Sequence, residues 1–326
     1  MDKRKTIILG SIVLGVILLT VALILIFNAG NKSPEWSFEN MVEFYDDLSN
    51  EFKNPEWLEI KGVVENVNVF IGEDNSLKAI LYGQIPANYN NVPELRIKNR
   101  NKKYFLEVYY RKDQIDLQKG SLQLDLYIPE DYQGWFSIDT YSGSVQLAAG
   151  KNSDITVNSV SGDITAEKME CNNFVAQSVS GDVVLTDIIC FGILDARSTS
   201  GNVSMQKIDT KNMQSASVSG NLSFVGNAGQ VTVETVSGPV DIRLESLKDD
   251  VVLTGVSGDI SLLINASAAF DLNADTTTGN ITLQGFDIKA GKESPGTLQG
   301  KINGGGYDVK IRTTSGSITI DRNSKS

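Results

Sequence analysis

Apolar and polar residues alternate in short blocks through the second half of the chain, and each block is tied to a Ser/Thr-Gly pair. The glycines are Gly143, Gly162, Gly181, Gly201, Gly220, Gly238, Gly258, Gly279 and Gly316. Two and four places after each stands an apolar residue, from Val145 and Leu147, Ile164 and Ala166, Val183 and Leu185, through to Ile318 and Ile320. The residue between them is polar in every repeat except at Val184. A second pair recurs seven and five places before each glycine, from Phe136 and Ile138 to Val309 and Ile311, interrupted only by Ser215. This period of two predicts strands with one buried face and excludes a helix, whose apolar stripe recurs every three to four residues.

The glycines lie 18–21 residues apart, with a final gap of 37, close to two periods. A fixed period near 20 predicts stacked units that bury their apolar faces only against one another. Each unit reads strand, S-G-x corner, strand. The expected fold class is therefore all-β: a parallel β-helix or β-solenoid of about nine to ten short coils over residues 136–322, with inward residues stacked about 4.8 Å apart. Each buried Val, Leu or Ile contributes roughly 1.5–3 kcal/mol before conformational entropy is counted. The corner glycine is expected either to take a positive φ or to allow close approach between coils.

Upstream, residues 58–135 show the same alternation without the Ser-Gly corner, with strands expected at 58–64, 66–71, 77–82, 95–99, 104–110 and 122–128. All three tryptophans and eight of the ten tyrosines precede residue 136. A stack needs its first coil covered, because an open strand edge recruits other chains, so this segment reads as a β-rich N-terminal cap. Residues 28–57 read as a polar linker followed by an amphipathic helix over 34–53, on the spacing of Trp36, Phe38, Met41, Val42, Tyr45, Leu48 and Phe52. Near the other end, 284–308 reads as a glycine-rich loop replacing one coil, carrying the basic cluster Lys289, Lys292 and Lys301.

Residues 7–27 are an uncharged, mostly apolar run long enough to span a bilayer. Lys3, Arg4 and Lys5 precede it, so residues 1–6 are expected as a cytoplasmic tail and the rest of the chain as extracytoplasmic. The run is longer than the usual signal-peptide core, which favours an uncleaved signal anchor over a cleaved leader. No cysteine follows it to take a lipid. Net charge is −11, so the surface has the wrong sign for nucleic acid, which is not expected as a partner.

The two cysteines, Cys171 and Cys190, each stand nine places after a repeat glycine and should occupy equivalent points on adjacent coils. Two readings stay open: a stacked pair of buried thiols, or a disulfide in an oxidising compartment. The chain has no histidine, which excludes histidine-based triads and weakens any zinc site. Asp163 and Asp182 follow adjacent corner glycines, but the calcium-binding nonapeptide pattern is absent, and turn Asp and Asn usually bond backbone. Arg197, Glu234, Arg243, Glu245 and Arg312 fall on different coils and faces rather than converging. No catalytic, cofactor or metal residue is assigned.

The run VSGDI, VSGDV, TSGNV, VSGNL, VSGPV, VSGDI, TTGNI, with the ending INGGGYDVKIRTTSGSITI, resembles the bacterial β-strand-repeat family of putative adhesins, which includes LiaG-like membrane-anchored proteins. The resemblance spans about residues 60–322. It implies a β-solenoid at the cell envelope, linked to adhesion or envelope-stress response, and it supplies no catalytic residues. The function expected first is a non-enzymatic, single-pass envelope protein offering its solenoid to an envelope protein or cell-wall ligand. An accessory regulator of envelope-stress signalling, and a β-helix enzyme acting on polysaccharide, are the alternatives.

Overall fold

The structure, a computed structural model, describes residues 41–48, 55–72, 77–87, 89, 91–111, 121–130 and 132–323. The cytoplasmic tail, the apolar run 7–27 and the linker expected from the sequence lie outside these residues. Among the described residues are 22 strands joined in one mixed sheet and no helix, hence none long and apolar enough to cross a membrane.

The repeat region folds as expected into coils stacked in parallel. Strands β9 (Val145–Ser159), β10 (Ile164–Ser178), β11 (Val183–Ser198), β12 (Val203–Ser217) and β13 (Leu222–Thr235) each run through a whole coil. They pair glycine for glycine: Ile164 lies between Val145 and Val183, and Val203 between Val183 and Leu222. Every apolar residue aligned before the glycines is buried, and so are those after them, except Ile281 and Leu283.

Each coil has three inward segments rather than two. In β10 these are Ile164 and Ala166, then Met169 and Cys171, then Phe174, Ala176 and Ser178. The chain turns between the first and second at Lys168, which takes a left-handed φ of 56°, and the same corner is held by Asp187 (59°) and Lys207 (54°). Their charged side chains are exposed. The middle segment escaped the sequence alignment because its residues vary in polarity, as in Ile208 and Thr210, where Met169 and Cys171 stand two coils earlier.

The N-terminal cap belongs to the same stack. Strand β2 (Trp57–Lys61) lies parallel between β6 (Lys103–Tyr109) and β8 (Trp135–Thr140). Strand β3 (Asn66–Gly72) lies parallel between β7 (Ser121–Pro129) and β9. The cap therefore adds two parallel rungs out of sequence order, with 103–129 outermost and 57–72 beneath it. Antiparallel strands β4 (Lys78–Pro86) on β7, and β5 (Glu94–Arg100) on β6, cover the outer edges.

The helix expected over 34–53 is corrected where it is described: Met41–Asp47 is strand β1, paired with β4. The free edge of β4 gives this segment backbone partners, as in the bond from the Leu48 amide to the Ala79 carbonyl at 3.0 Å. Phe44 and Leu48 still reach the core from this position.

The C-terminal end repeats the device. Strands β14 (Val240–Leu247), β15 (Val251–Thr254) and β16 (Ile260–Asn265) continue the stack on β13. The next rung, however, is not the next in sequence. Strand β21 (Tyr307–Ser315) inserts between β15 and β17 (Phe270–Thr278), and β22 (Ile318–Asn323) between β16 and β18 (Ile281–Gln284). The 284–308 segment, expected as a loop, is a β-hairpin of β19 (Ile288–Ser294) and β20 (Thr297–Ile302), turned at Pro295-Gly296 with Gly296 at φ 76°. Strand β20 covers β17 in antiparallel fashion, and Lys301 pairs with Asp271 at 3.4 Å. The hairpin lets the chain leave the outermost rung and return one rung inward. On the wall that follows the glycines, the parallel rungs among the described residues run β7, β3, β9, β10, β11, β12, β13, β14, β16, β22, β18; the nine from β9 to β18 lie within residues 136–322, matching the nine to ten expected there, and the cap adds β7 and β3.

Candidate functional site

The nine repeat glycines form one ladder, and contact between coils explains them. A methyl group at Gly162 would lie 2.0 Å from the carbonyl oxygen of Gly143, one at Gly181 2.1 Å from that of Gly162, and one at Gly201 2.2 Å from that of Gly181. The ladder continues through Gly220, Gly238 and Gly258, then passes to Gly316 and only then to Gly279. Of the two explanations offered for the corner, close approach is the general one. Gly279 alone among the nine has a φ in the positive range, 156°.

A second ladder, three places before the glycine, went unremarked in the sequence. It comprises Thr140, Ser159, Ser178, Ser198, Ser217, Thr235, Thr276 and Thr313, all buried. Ser198 shows its use: its hydroxyl donates to the Gly181 carbonyl at 2.9 Å and accepts from the Gly201 amide at 3.0 Å. The signal was present as a Ser or Thr at this place in eight of nine repeats, with Gly255 the exception. Ser198→Ala leaves both corner groups without this partner and is expected to cost about 1–3 kcal/mol. Denaturant unfolding checks this as a lowered midpoint with an unchanged slope.

At Asp163, Asp182, Asn202 and Asp259 the polar residue after the glycine ties one coil to the next. The carboxylate of Asp163 accepts the Asp182 amide at 2.9 Å, that of Asp182 the Asn202 amide at 2.7 Å, and that of Asp259 the Ser317 amide at 2.8 Å. Among the described residues no three acidic or cysteine side chains are grouped to hold a metal. Three of the charges considered for catalysis are engaged locally: Arg197 with Asp195 at 2.6 Å, Arg312 with Asp275 at 3.5 Å, and Glu245 with Asn227 at 2.9 Å; Arg243 Nε is buried without a hydrogen-bond partner among the described residues.

Cys171 and Cys190 stand opposite one another in the β10–β11 ladder, both buried and both free thiols. Cys190 Sγ lies 3.2 Å from the carbonyl oxygens of Asn172 and Ile193. The hydrogen bond between the two thiols lowers the pKa of Cys190, to which the Gly192 backbone and the Thr210 hydroxyl also contribute, and raises that of Cys171, which burial raises further.

Immediately after Cys190 the ladder slips. Strand β11 has 16 residues where β10 and β12 have 15, and the register shifts between Cys190 and Ile193. Asn173 stitches this bulge, accepting the Ile193 amide at 2.9 Å and donating to Asp154 at 2.6 Å. Ile189 and Phe191, alternating with the buried Ile188 and Cys190, and Ile193 at the slip face solvent, with Phe191 59% exposed. The coils on either side present Glu170, Asn172 and Asn173, and Asp209, Lys211 and Asn212. Both flanking carboxylates are paired, Glu170 with Lys151 at 3.2 Å and Asp209 with Lys248 at 3.9 Å. The result is an apolar patch with a neutralised polar border, the feature that marks contact surfaces. Elsewhere, Tyr307 is exposed, whereas Phe270 is fully buried with Phe286 edge-on to it at 5.7 Å.

Parallel coils whose polar positions join one coil to the next define an all-β repeat scaffold rather than a cleft built around reacting groups. The chain belongs to the Toastrack DUF4097 family, whose model matches residues 83–321. Its fold is similar to that of a putative adhesin from Parabacteroides merdae, at 10% identity and a TM-score of 0.52, covering 88% of this chain and 97% of that one. A putative adhesin from Parabacteroides distasonis matches at 10% identity and a TM-score of 0.52, covering 87% and 98%. No curated protein matches the chain.

Proposed function

We propose that this protein is a non-enzymatic, membrane-anchored component of the bacterial envelope, whose β-solenoid carries an adhesin-like contact surface. The observation that carries this reading is the Ile189–Phe191–Ile193 patch, an apolar group on a coil whose neighbours present polar residues at the same level. Strand alternation aims Ile189 and Phe191 outward, and paired charges frame them. The occupant it fits is the apolar face of an envelope protein. The apolar run 7–27 and the basic residues before it supply the anchor, and the structurally similar putative adhesins support the assignment to adhesion.

The full chain displayed on a host cell is expected to bind envelope preparations, and Ile189→Ser with Phe191→Ser to weaken that binding at least tenfold, as loss of a central aromatic anchor does. The melting temperature should hold, because both side chains are exposed. Tyr307→Ser is the control. Undiminished binding by the double variant removes the patch from the reading, and absence of binding by the parent chain removes adhesion.

A further inference from the structure

We propose that Cys171 and Cys190 are an exchangeable dithiol that closes to a disulfide joining two adjacent coils, β10 to β11, by reaction with a small-molecule or protein disulfide. Three observations converge. The chain has two cysteines, and the fold sets them on neighbouring rungs of one ladder. Neighbouring parallel strands lie about 4.8 Å apart, within the Cα separation that a disulfide spans. Each sulfur reaches across to the other's coil: Cys190 Sγ lies 3.2 Å from the carbonyl oxygen of Asn172, the residue after Cys171, and Cys171 Sγ lies 3.9 Å from that of Ile189, the residue before Cys190. Finally, the ladder is broken beside Cys190, where Phe191 and Gly192 form the bulge. That bulge is the place where the coil can open to admit an oxidant, since both sulfurs are otherwise buried.

The roles within the pair follow from its asymmetry. Cys190 adjoins the slip, so its sulfur is the one an oxidant reaches first, and, having lost its proton to solvent, it attacks first. Its sulfur bonds to one sulfur of the oxidant R–S–S–R, and the other leaves as a thiolate. Cys171 then gives up its proton to the released thiolate, and its sulfur attacks Cys190 in the mixed disulfide, expelling the second thiolate, which takes a proton from solvent. In balance, two protein thiols and one disulfide give one protein disulfide and two small thiols. The protein loses two electrons and the oxidant gains them. The bond closes a loop that is one full coil, so it holds that coil in its turn. This inference is independent of adhesion, since it concerns the coils themselves.

The test takes the reduced full chain in detergent and exposes it to oxidised glutathione, both folded and during refolding. Denaturation with an alkylating agent and intact-mass measurement follow. The expected result, in either arm, is a mass lower by two hydrogens, no alkylated cysteine, one cross-link between the peptides bearing Cys171 and Cys190, and a higher melting temperature that dithiothreitol reverses. Cys171→Ala should trap glutathione on Cys190, whereas Cys190→Ala should leave Cys171 largely unmodified. These variants also test the roles without requiring the disulfide to form. Two alkylated cysteines in both arms, or a bond between two chains, would overturn the proposal.

Discussion

Gly220→Val is expected to cost more than about 4 kcal/mol, in the range reserved for severe steric or cavity defects, or to leave the chain unable to fold. The reason lies one coil away: a side-chain carbon at Gly220 would stand 1.9 Å from the Gly201 carbonyl oxygen. That oxygen is backbone and cannot swing aside, so two coils must separate. Gly220→Ala should fail in the same direction, because the clash is at the first carbon. Ser223→Val, three residues on, replaces a half-buried outward side chain bonded only to Ser204 at 3.3 Å. It should stay within about 1 kcal/mol, since a β-branched residue suits an outward strand position. Gly304→Ala separates the two causes of a glycine requirement. Nothing lies within 4 Å of its added carbon, but its φ is 100°, so it should cost only backbone strain of about 1–3 kcal/mol. Comparable melting temperatures for Gly220→Val and Ser223→Val would refute the close-approach account.

Glu65→Ala is expected to destabilise by roughly 3–5 kcal/mol, the sum expected from orphaning two or three buried donors. Glu65 is fully buried and occupies the place of the repeat glycine in the 57–72 rung: a methyl at Gly143 would lie 1.7 Å from its carbonyl oxygen. Three places before it stands Gly62, where other coils carry a serine or threonine. The Glu65 carboxylate folds back into that gap, accepting the Val63 and Val64 amides at 2.8 and 3.2 Å and the Tyr110 hydroxyl. Glu65 and Gly62 thus exchange the roles that glycine and hydroxyl play in the other rungs. Rebuilding the usual corner as Glu65→Gly with Gly62→Ser should therefore be more stable than Glu65→Gly alone. Chemical denaturation of the three variants decides it, and a double variant no better than the single one would exclude the exchange.

The alternation of Val, Ile and Leu about the Ser-Gly corners was sufficient to place inward and outward faces, because burial on one side of a strand leaves a strict period of two. Equivalence of Cys171 and Cys190 followed from counting to the glycine, since a stack in register converts equal offsets into neighbours. The middle inward segment was not legible: Cys190, Thr210 and Ala228 fill one ladder, and small residues of different polarity make no hydrophobic pattern. The apolar patch was not legible for a related reason. Ile189 and Phe191 turn outward by alternation, but they stand in an unbroken run of apolar residues, and the slip of β11 after Cys190 brings Ile193 beside them. Residues 41–47 misled in the opposite direction, as Met41, Val42 and Tyr45 carry helical spacing while the free edge of β4 makes the segment a strand.

By itself the sequence determined the unit: a strand-forming alternation, a glycine where coils touch, a hydroxyl three places earlier, and cysteines at matching positions. These are local properties, written in spacing and residue type. The order of the rungs was decided only in three dimensions. The 57–72 rung lies inside the 103–129 rung, and the Gly316 rung lies inside the Gly279 rung, each against chain order. Every rung offers its neighbour the same apolar pair and the same backbone edge, so the pattern cannot state which rung lies next to which. That choice falls to the antiparallel strands at the two ends, which cover outer edges and carry the chain back inward.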